Sequence, residues 1–192
     1  MATRAAAKKS PPTTSRRAPV KSPAGVRRQK DACDLLDADH KAVKAMFKEY
    51  ETLTESRGRS TTKKRQLSDK ICDELTIHTT IEDEIFYPVT RRVIKDNALM
   101  NEATVEHASA KELIAQIRAM DAGDEMFDAK VTVLGEYIDH HVKEERTEMF
   151  PKVRKTRLDL VSLGAQMEQR KQALMAGQEN AGMPAMAIAP VV

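Results

Sequence analysis

The stretch His78-Thr79-Thr80-Ile81-Glu82-Asp83-Glu84-Ile85-Phe86-Tyr87-Pro88 recurs in outline as His141-Val142-Lys143-Glu144-Glu145-Arg146-Thr147-Glu148-Met149-Phe150-Pro151. In both, a histidine is followed four residues on by a glutamate, and later by a proline standing behind an aromatic residue. A spacing of four places histidine and glutamate on one face of a helix, one turn apart. The neighbouring apolar residues keep the same rhythm: Leu67, Ile71 and Leu75 lead into His78, and Val131, Leu134 and Ile138 lead into His141. Each pair therefore interrupts the stripe of a helix that faces the core.

Working outward, two more histidines interrupt apolar stripes, each directly behind an acid, in Asp39-His40 and Glu106-His107. Leu36, His40, Val43, Phe47 and Tyr50 predict a first helix over about residues 31–56. A turn at residues 57–60 leads to a second helix, capped by Thr61 or Thr62, which Pro88 should kink or end. Met100, Ala103, His107, Ala110, Ile114 and Ile117 mark a third helix over about residues 97–120, and a fourth covers about residues 124–155. Residues 158–175 predict a shorter fifth helix, outside the bundle or extending past it. Long helices with short connections predict an all-α, up-down-up-down four-helix bundle. Its two hairpins are of one design: His40, His78 and Glu82 come from the first, and His107, His141 and Glu145 from the second.

Composition agrees with an all-α protein. The 192 residues are 32% charged and 4% aromatic, with no Trp and 7 Gly, which argues against a β-sandwich. No run approaches the roughly 18 consecutive apolar residues of a membrane span, and residues 1–30 lack the apolar core of a secretory signal. Cys33 and Cys72 are too few for a disulfide scaffold and are expected to be small buried hydrophobes. A cytoplasmic location is expected.

The net charge of +3 hides an asymmetry. Residues 1–30 carry nine basic residues, four prolines and no acid, leaving 23 basic against 29 acidic residues in the remainder. That segment has too little apolar surface to offset its ordering entropy and is expected to be a disordered basic tail. It suits salt-sensitive contact with phosphates, of nucleic acid or another anionic surface, or a merely solubilising role. The expected organisation is this tail at residues 1–30, the bundle at 31–155, an additional helix at 156–176 and a flexible tail at 177–192.

Converging four imidazoles and two carboxylates in a core is hard to justify without a metal, because buried carboxylates are expensive unless paired. Four nitrogens and two bridging carboxylates fill about eight of the twelve positions of two six-coordinate ions, and a bridging oxo or hydroxo fills two more. About two positions then remain for a small molecule. Imidazole with carboxylate suits iron, and also zinc, copper, nickel or manganese. His140 lies off the stripe and is expected to be solvated. Asp39, Asp83, Glu84, Glu106, Glu144 and Glu148 are expected at the surface or orienting imidazoles, and Met46, Met100, Met120, Met126 and Met149 are expected to fill the core.

On Asp39-His40, His78-x3-Glu82 with Phe86-Tyr87-Pro88, Glu106-His107 and His141-x3-Glu145 with Phe150-Pro151, the chain resembles the hemerythrin-like family with HHE cation-binding domains, over about residues 31–155. The ferritin-like alternative needs Glu-x-x-His pairs, and the chain has none. The resemblance implies a non-haem di-iron centre, oxo- or hydroxo-bridged, binding O2 or related small ligands, with His40, His78, Glu82, His107, His141 and Glu145 as ligands. One departure matters: where oxygen-carrying members place a further histidine four residues after the third-helix one, this chain has Lys111. Losing that nitrogen favours sensing, storage or buffering of iron and oxygen over reversible carriage. The alternatives are an enzyme acting on peroxide or nitric oxide, and an interaction protein docked on nucleic acid by residues 1–30.

Overall fold

The computed structural model describes residues 30–55 and 60–181, with side chains to residue 177. The expected N-terminal tail and most of the expected C-terminal tail lie outside these residues. Among them the structure is helical, without strands. Helix α1 spans Ala32–Glu55 and α2 spans Thr61–Ile81. A π-turn, Glu82–Phe86, carries α2 straight into α3, Tyr87–Ile94. Helix α4 is Asn97–Arg118. Helix α5, Phe127–Glu144, continues through a second π-turn, Glu145–Met149, into α6, Phe150–Arg154. Helix α7 is Leu160–Ala181. The long rods form the expected four-helix bundle, and α7 packs along it against α1, α2 and the first π-turn.

Local chemistry sets the ends. The cap of α2 is Ser60 and not Thr61 or Thr62: its hydroxyl accepts from the Lys63 N–H at 3.2 Å. Asp96 caps α4 by accepting from the Leu99 N–H at 3.2 Å, immediately after Lys95 closes α3 in the left-handed region at φ 54°. Asp159 accepts from the Ser162 N–H at 3.0 Å at the start of α7. Helix α7 runs on to Ala181, so residues 177–181, expected in a flexible tail, are helical.

Neither Pro88 nor Pro151 ends its rod. Proline lacks an N–H and its ring collides with the carbonyl four residues back. Here each proline follows a five-residue π-turn, in which the Tyr87 N–H reaches the Glu82 carbonyl and the Phe150 N–H reaches that of Glu145. The widened turn accommodates the proline and rotates the residue five after the glutamate onto the inner face.

Two apolar clusters fill the bundle. One holds Leu36, Ile81, Phe86, Met100, Met149 and Met167; the other holds Val43, Ile71, Leu75, Ile114, Phe127 and Leu134. His40, His78, His107 and His141 each fall along their helices between residues of the two clusters, so a polar layer divides the core. Met46, Met100 and Met149 are buried as expected and Met120 is half-buried. Met126 corrects the expectation: it is 56% exposed, standing just before the first turn of α5. Cys33 and Cys72 are both buried and free. No described helix is long and apolar enough to cross a membrane.

Candidate metal centre

All six expected residues meet in the polar layer, and each is buried. The four imidazoles turn Nε2 inward. His40 and His78 approach to 3.0 Å between Nε2 atoms, and His107 and His141 to 3.2 Å. The carboxylates stand between these pairs. Glu82 Oε2 lies 3.2 Å from His78 and 3.3 Å from His107, while Glu145 Oε2 lies 3.2 Å from His40 and 3.8 Å from His141. Each glutamate thus faces the histidine of its own helix and one from the other hairpin. Two groups of donor atoms result, His40–His78–Glu82–Glu145 and Glu82–His107–His141, and Glu82 belongs to both.

Three of the four outer nitrogens face carboxylates, though not from the acids beside them in sequence. Successive residues on a helix point about 100° apart, so Asp39 serves His78 and Glu106 serves His141. His141 Nδ1 lies 2.7 Å from Glu106, His107 Nδ1 lies 2.8 Å from Asp83, and His78 Nδ1 lies 3.7 Å from Asp39. His40 Nδ1 has no hydrogen-bond partner. Such contacts fix ring orientation and leave Nε2 free to coordinate. Glu84, Glu144 and Glu148 make no such contact with an inner imidazole: Glu84 pairs with Arg170, Glu148 with Lys152, and Glu144 faces His140. His140 is exposed as expected, beside Glu106 and Glu144.

Tyr87 is the residue that sequence reasoning missed. Its hydroxyl donates to Glu145 Oε1 at 3.0 Å and lies 3.1 Å and 3.2 Å from the Nε2 atoms of His107 and His141. The signal was its place five residues after Glu82, which faces inward in a π-turn but not in an α-helix. Its counterpart, Phe150, stacks on His40 instead, so the two hairpins differ where they matter chemically. Lys111, at the expected gap in the ligand set, points away and pairs with Asp83 at 2.5 Å.

The electrostatics call for positive charge. Glu82 Oε1 and Oε2 and Glu145 Oε2 are buried without a hydrogen bond, an arrangement that costs several kcal/mol, about 1–3 per unsatisfied group and more when charged. Burial, then the charge of Glu145, pushes Glu82 well above the carboxylate range. Burial pushes Glu145 upward too, but His141 and His40 outweigh it and hold Glu145 low, at about 2. Burial drives His78 down to about 4 against the pull of Asp39. For His141 burial is outweighed by Glu145 and Glu106, which raise it. Imidazole nitrogens and buried bare carboxylate oxygens are the donor set of a transition-metal ion, and the residues fit one.

The family model of the hemerythrin HHE cation-binding domain matches residues 31–153. The chain belongs to that family. A hemerythrin HHE cation-binding-domain-containing protein from Mycobacterium kansasii, known from its crystal structure, shares the fold with a TM-score of 0.63 at 22% identity, over 80% of this chain and 95% of that one. A DNA nickase from Nostoc sp. is 26% identical over 121 residues, 63% of this chain; the chain spans about a third (33%) of that relative's length. The HHE centre of this chain is flanked by two surface depressions. One, of about 740 Å³ between α1 and α5, is lined by His40, Lys41, Lys44, Lys143 and Arg146. The other, of about 400 Å³, is lined by Tyr87, His107, Asp83 and Lys111.

Proposed function

We propose that the chain is a non-haem di-iron protein that binds oxygen or a related small ligand, for sensing, storage or buffering. The observation that carries this reading is Glu82, fully buried, without a hydrogen bond on either oxygen, and shared by two histidine-containing donor groups. One ion would leave part of that set uncompensated. Two ions would be held by His40, His78, Glu82 and Glu145 on one side, and by His107, His141 and Glu82 on the other, with Glu145 beside both. Iron in this site would supply ligand exchange and redox chemistry.

The chain's own residues do the rest. Asp83 and Glu106 orient His107 and His141. The apolar clusters close the site above and below along the bundle, so access is from the side. Tyr87 stands on the side of the histidine that is missing relative to oxygen carriers, with a hydroxyl hydrogen already given to Glu145. The depression beside His40 supports approach of a small molecule, and its lysines and arginine favour an anionic one. The test is an azide titration of the iron-loaded full chain, followed by near-ultraviolet and visible absorption. A saturable new charge-transfer band supports the reading; an iron-loaded protein whose spectrum ignores azide and oxygen contradicts it.

The Tyr87 hydroxyl also favours a second reading, an enzyme that acts on peroxide or nitric oxide, since a hydrogen-bonding hydroxyl is held at the centre. Peroxide consumption that disappears in His141→Ala would support it. The Nostoc relative makes nucleic acid a partner to test for the basic residues 1–30. Deleting them should abolish retention on DNA and leave metal content unchanged.

A further inference from the structure

Among the inner imidazoles, His78 has an outer contact that leaves the four-helix bundle. Its Nδ1 faces Asp39 Oδ2 at 3.7 Å, and neither atom has a hydrogen-bond partner. The other oxygen, Oδ1, accepts from Lys171 Nζ at 2.6 Å. Lys171 stands on α7, in line with Leu163 and Met167, the residues that bury α7 against the bundle. A cation on an apolar stripe is as anomalous as a histidine there, since lysine is rarely buried without a partner. Its side chain is 15% exposed and that of Asp39 is 13% exposed. The parallel lysine of the second hairpin, Lys111 on Asp83, is 49% exposed.

Helix α7 is seated closely against α1. A Cβ at Gly164 would lie 2.8 Å from the Ala32 nitrogen, so only glycine lets α7 touch the first turn of α1. Seven residues on, the same helix delivers Lys171 to Asp39, on the same α1.

We propose that Lys171 is a positioning residue of the metal centre: by fixing the Asp39 carboxylate it aims Oδ2 at His78 Nδ1 and so orients the His78 ring. The inference rests on the metal-centre reading above. A histidine that coordinates through Nε2 carries its proton on Nδ1 and needs an acceptor there. A movement of about 1 Å brings His78 and Asp39 to the separation already seen for His107 and Asp83, 2.8 Å. Because α7 carries the lysine, docking of α7 and affinity for the metal are coupled, each favouring the other.

The test uses the full chain, with zinc(II) or iron(II) affinity measured by chelator competition and thermal melts of metal-free and metal-loaded protein. Removing an outer partner of a metal-bound histidine lowers affinity about 10–100-fold. Lys171→Met, acting one residue further out, should lie near the lower end, about tenfold. Lys171→Arg should restore the affinity. Lys171→Met combined with Asp39→Asn should be no weaker than Asp39→Asn alone. Arg170→Ala, which breaks the neighbouring exposed pair of α7 with Glu84, should leave affinity at the wild-type value. The rise in melting temperature on metal loading should shrink in Lys171→Met more than in Arg170→Ala. Equal affinities for wild type and Lys171→Met, or equal losses for Lys171→Met and Arg170→Ala, would overturn the inference and leave the metal centre standing. If Lys171→Met does not fold, Lys171→Gln takes its place with the same expected loss. A wild-type chain that binds no metal would overturn the metal-centre reading itself, and this inference with it.

Discussion

Replacing Glu82 by Gln should stabilise the metal-free protein while crippling its metal binding. Glu82 is fully buried and neither of its oxygens makes a hydrogen bond, whereas Glu145 at least accepts the Tyr87 hydroxyl. Burial, and then the charge of Glu145, raises the Glu82 carboxyl well above its ordinary 4.5. A carboxyl raised in the folded state holds its proton more tightly there than in the unfolded chain. It therefore removes stability as pH climbs from 4.5 through the raised value, and removes none below 4.5. Once ionised it costs about 1–3 kcal/mol as an uncompensated buried group. Glutamine has nearly the same shape and no charge, so it recovers most of that cost. At about 2–4 °C per kcal/mol for a chain of this size, metal-free Glu82→Gln should melt about 2–12 °C above wild type at pH 8 and level with it at pH 4. With metal at saturation the order should reverse, because wild type gains binding energy that the variant has lost; about 2.7 kcal/mol accrues at a hundredfold excess over the dissociation constant. Calorimetric melts with and without EDTA at the two pH values make the comparison. A metal-free variant that melts well below wild type at pH 8 would refute the reasoning, since Glu82 would then be serving the fold and not a cation.

Other expectations follow from single contacts. Tyr87→Phe keeps the ring stacked on His107 but loses the hydrogen bond to Glu145; metal-free stability should fall by about 1–3 kcal/mol in denaturant titration, and the visible spectrum of the iron-loaded protein should change. Gly164→Ala gains about 1 kcal/mol of helix propensity, but its Cβ meets backbone at 2.8 Å. Overpacking costs about 1–3 kcal/mol, so a net loss in melting temperature is expected. Burial pushes Cys33 up to about 12 and Cys72 to about 11, so at pH 8 the thiolate of Cys33 is on the order of one part in ten thousand. Ellman's reagent should therefore label neither thiol until denaturant is added, and rapid native labelling would contradict their burial.

The fold was legible because its signals are local and repeated. A histidine in place of a leucine stands out on a stripe as clear as Leu36–Val43–Tyr50, and two matched His-x3-Glu elements say that the stripes face each other. The π-turns were not legible from periodicity, which assumes a constant 3.6 residues per turn. That is why Pro88 is expected to kink or end its helix, and why periodicity assigns Tyr87 no role at the centre it points into. Acid–histidine adjacency was visible, yet its meaning was not. Asp39 and Glu106 turn away from His40 and His107 and serve His78 and His141 across the bundle, a relation that only packing can express. The same holds for Lys171, more than a hundred residues from the aspartate it holds. Met126 misled for the opposite reason: it is apolar, but it lies in the approach to α5, before helical geometry has assigned it a face.

The most direct test of the central claim is the number of ions per chain, counted by native mass spectrometry on full-length protein loaded with iron under anaerobic conditions. Glu82 shared between His78 and His107 predicts two ions per chain, with occupancy falling in Glu82→Gln. A single ion at saturating iron, or none, would contradict the shared centre and with it the di-iron account.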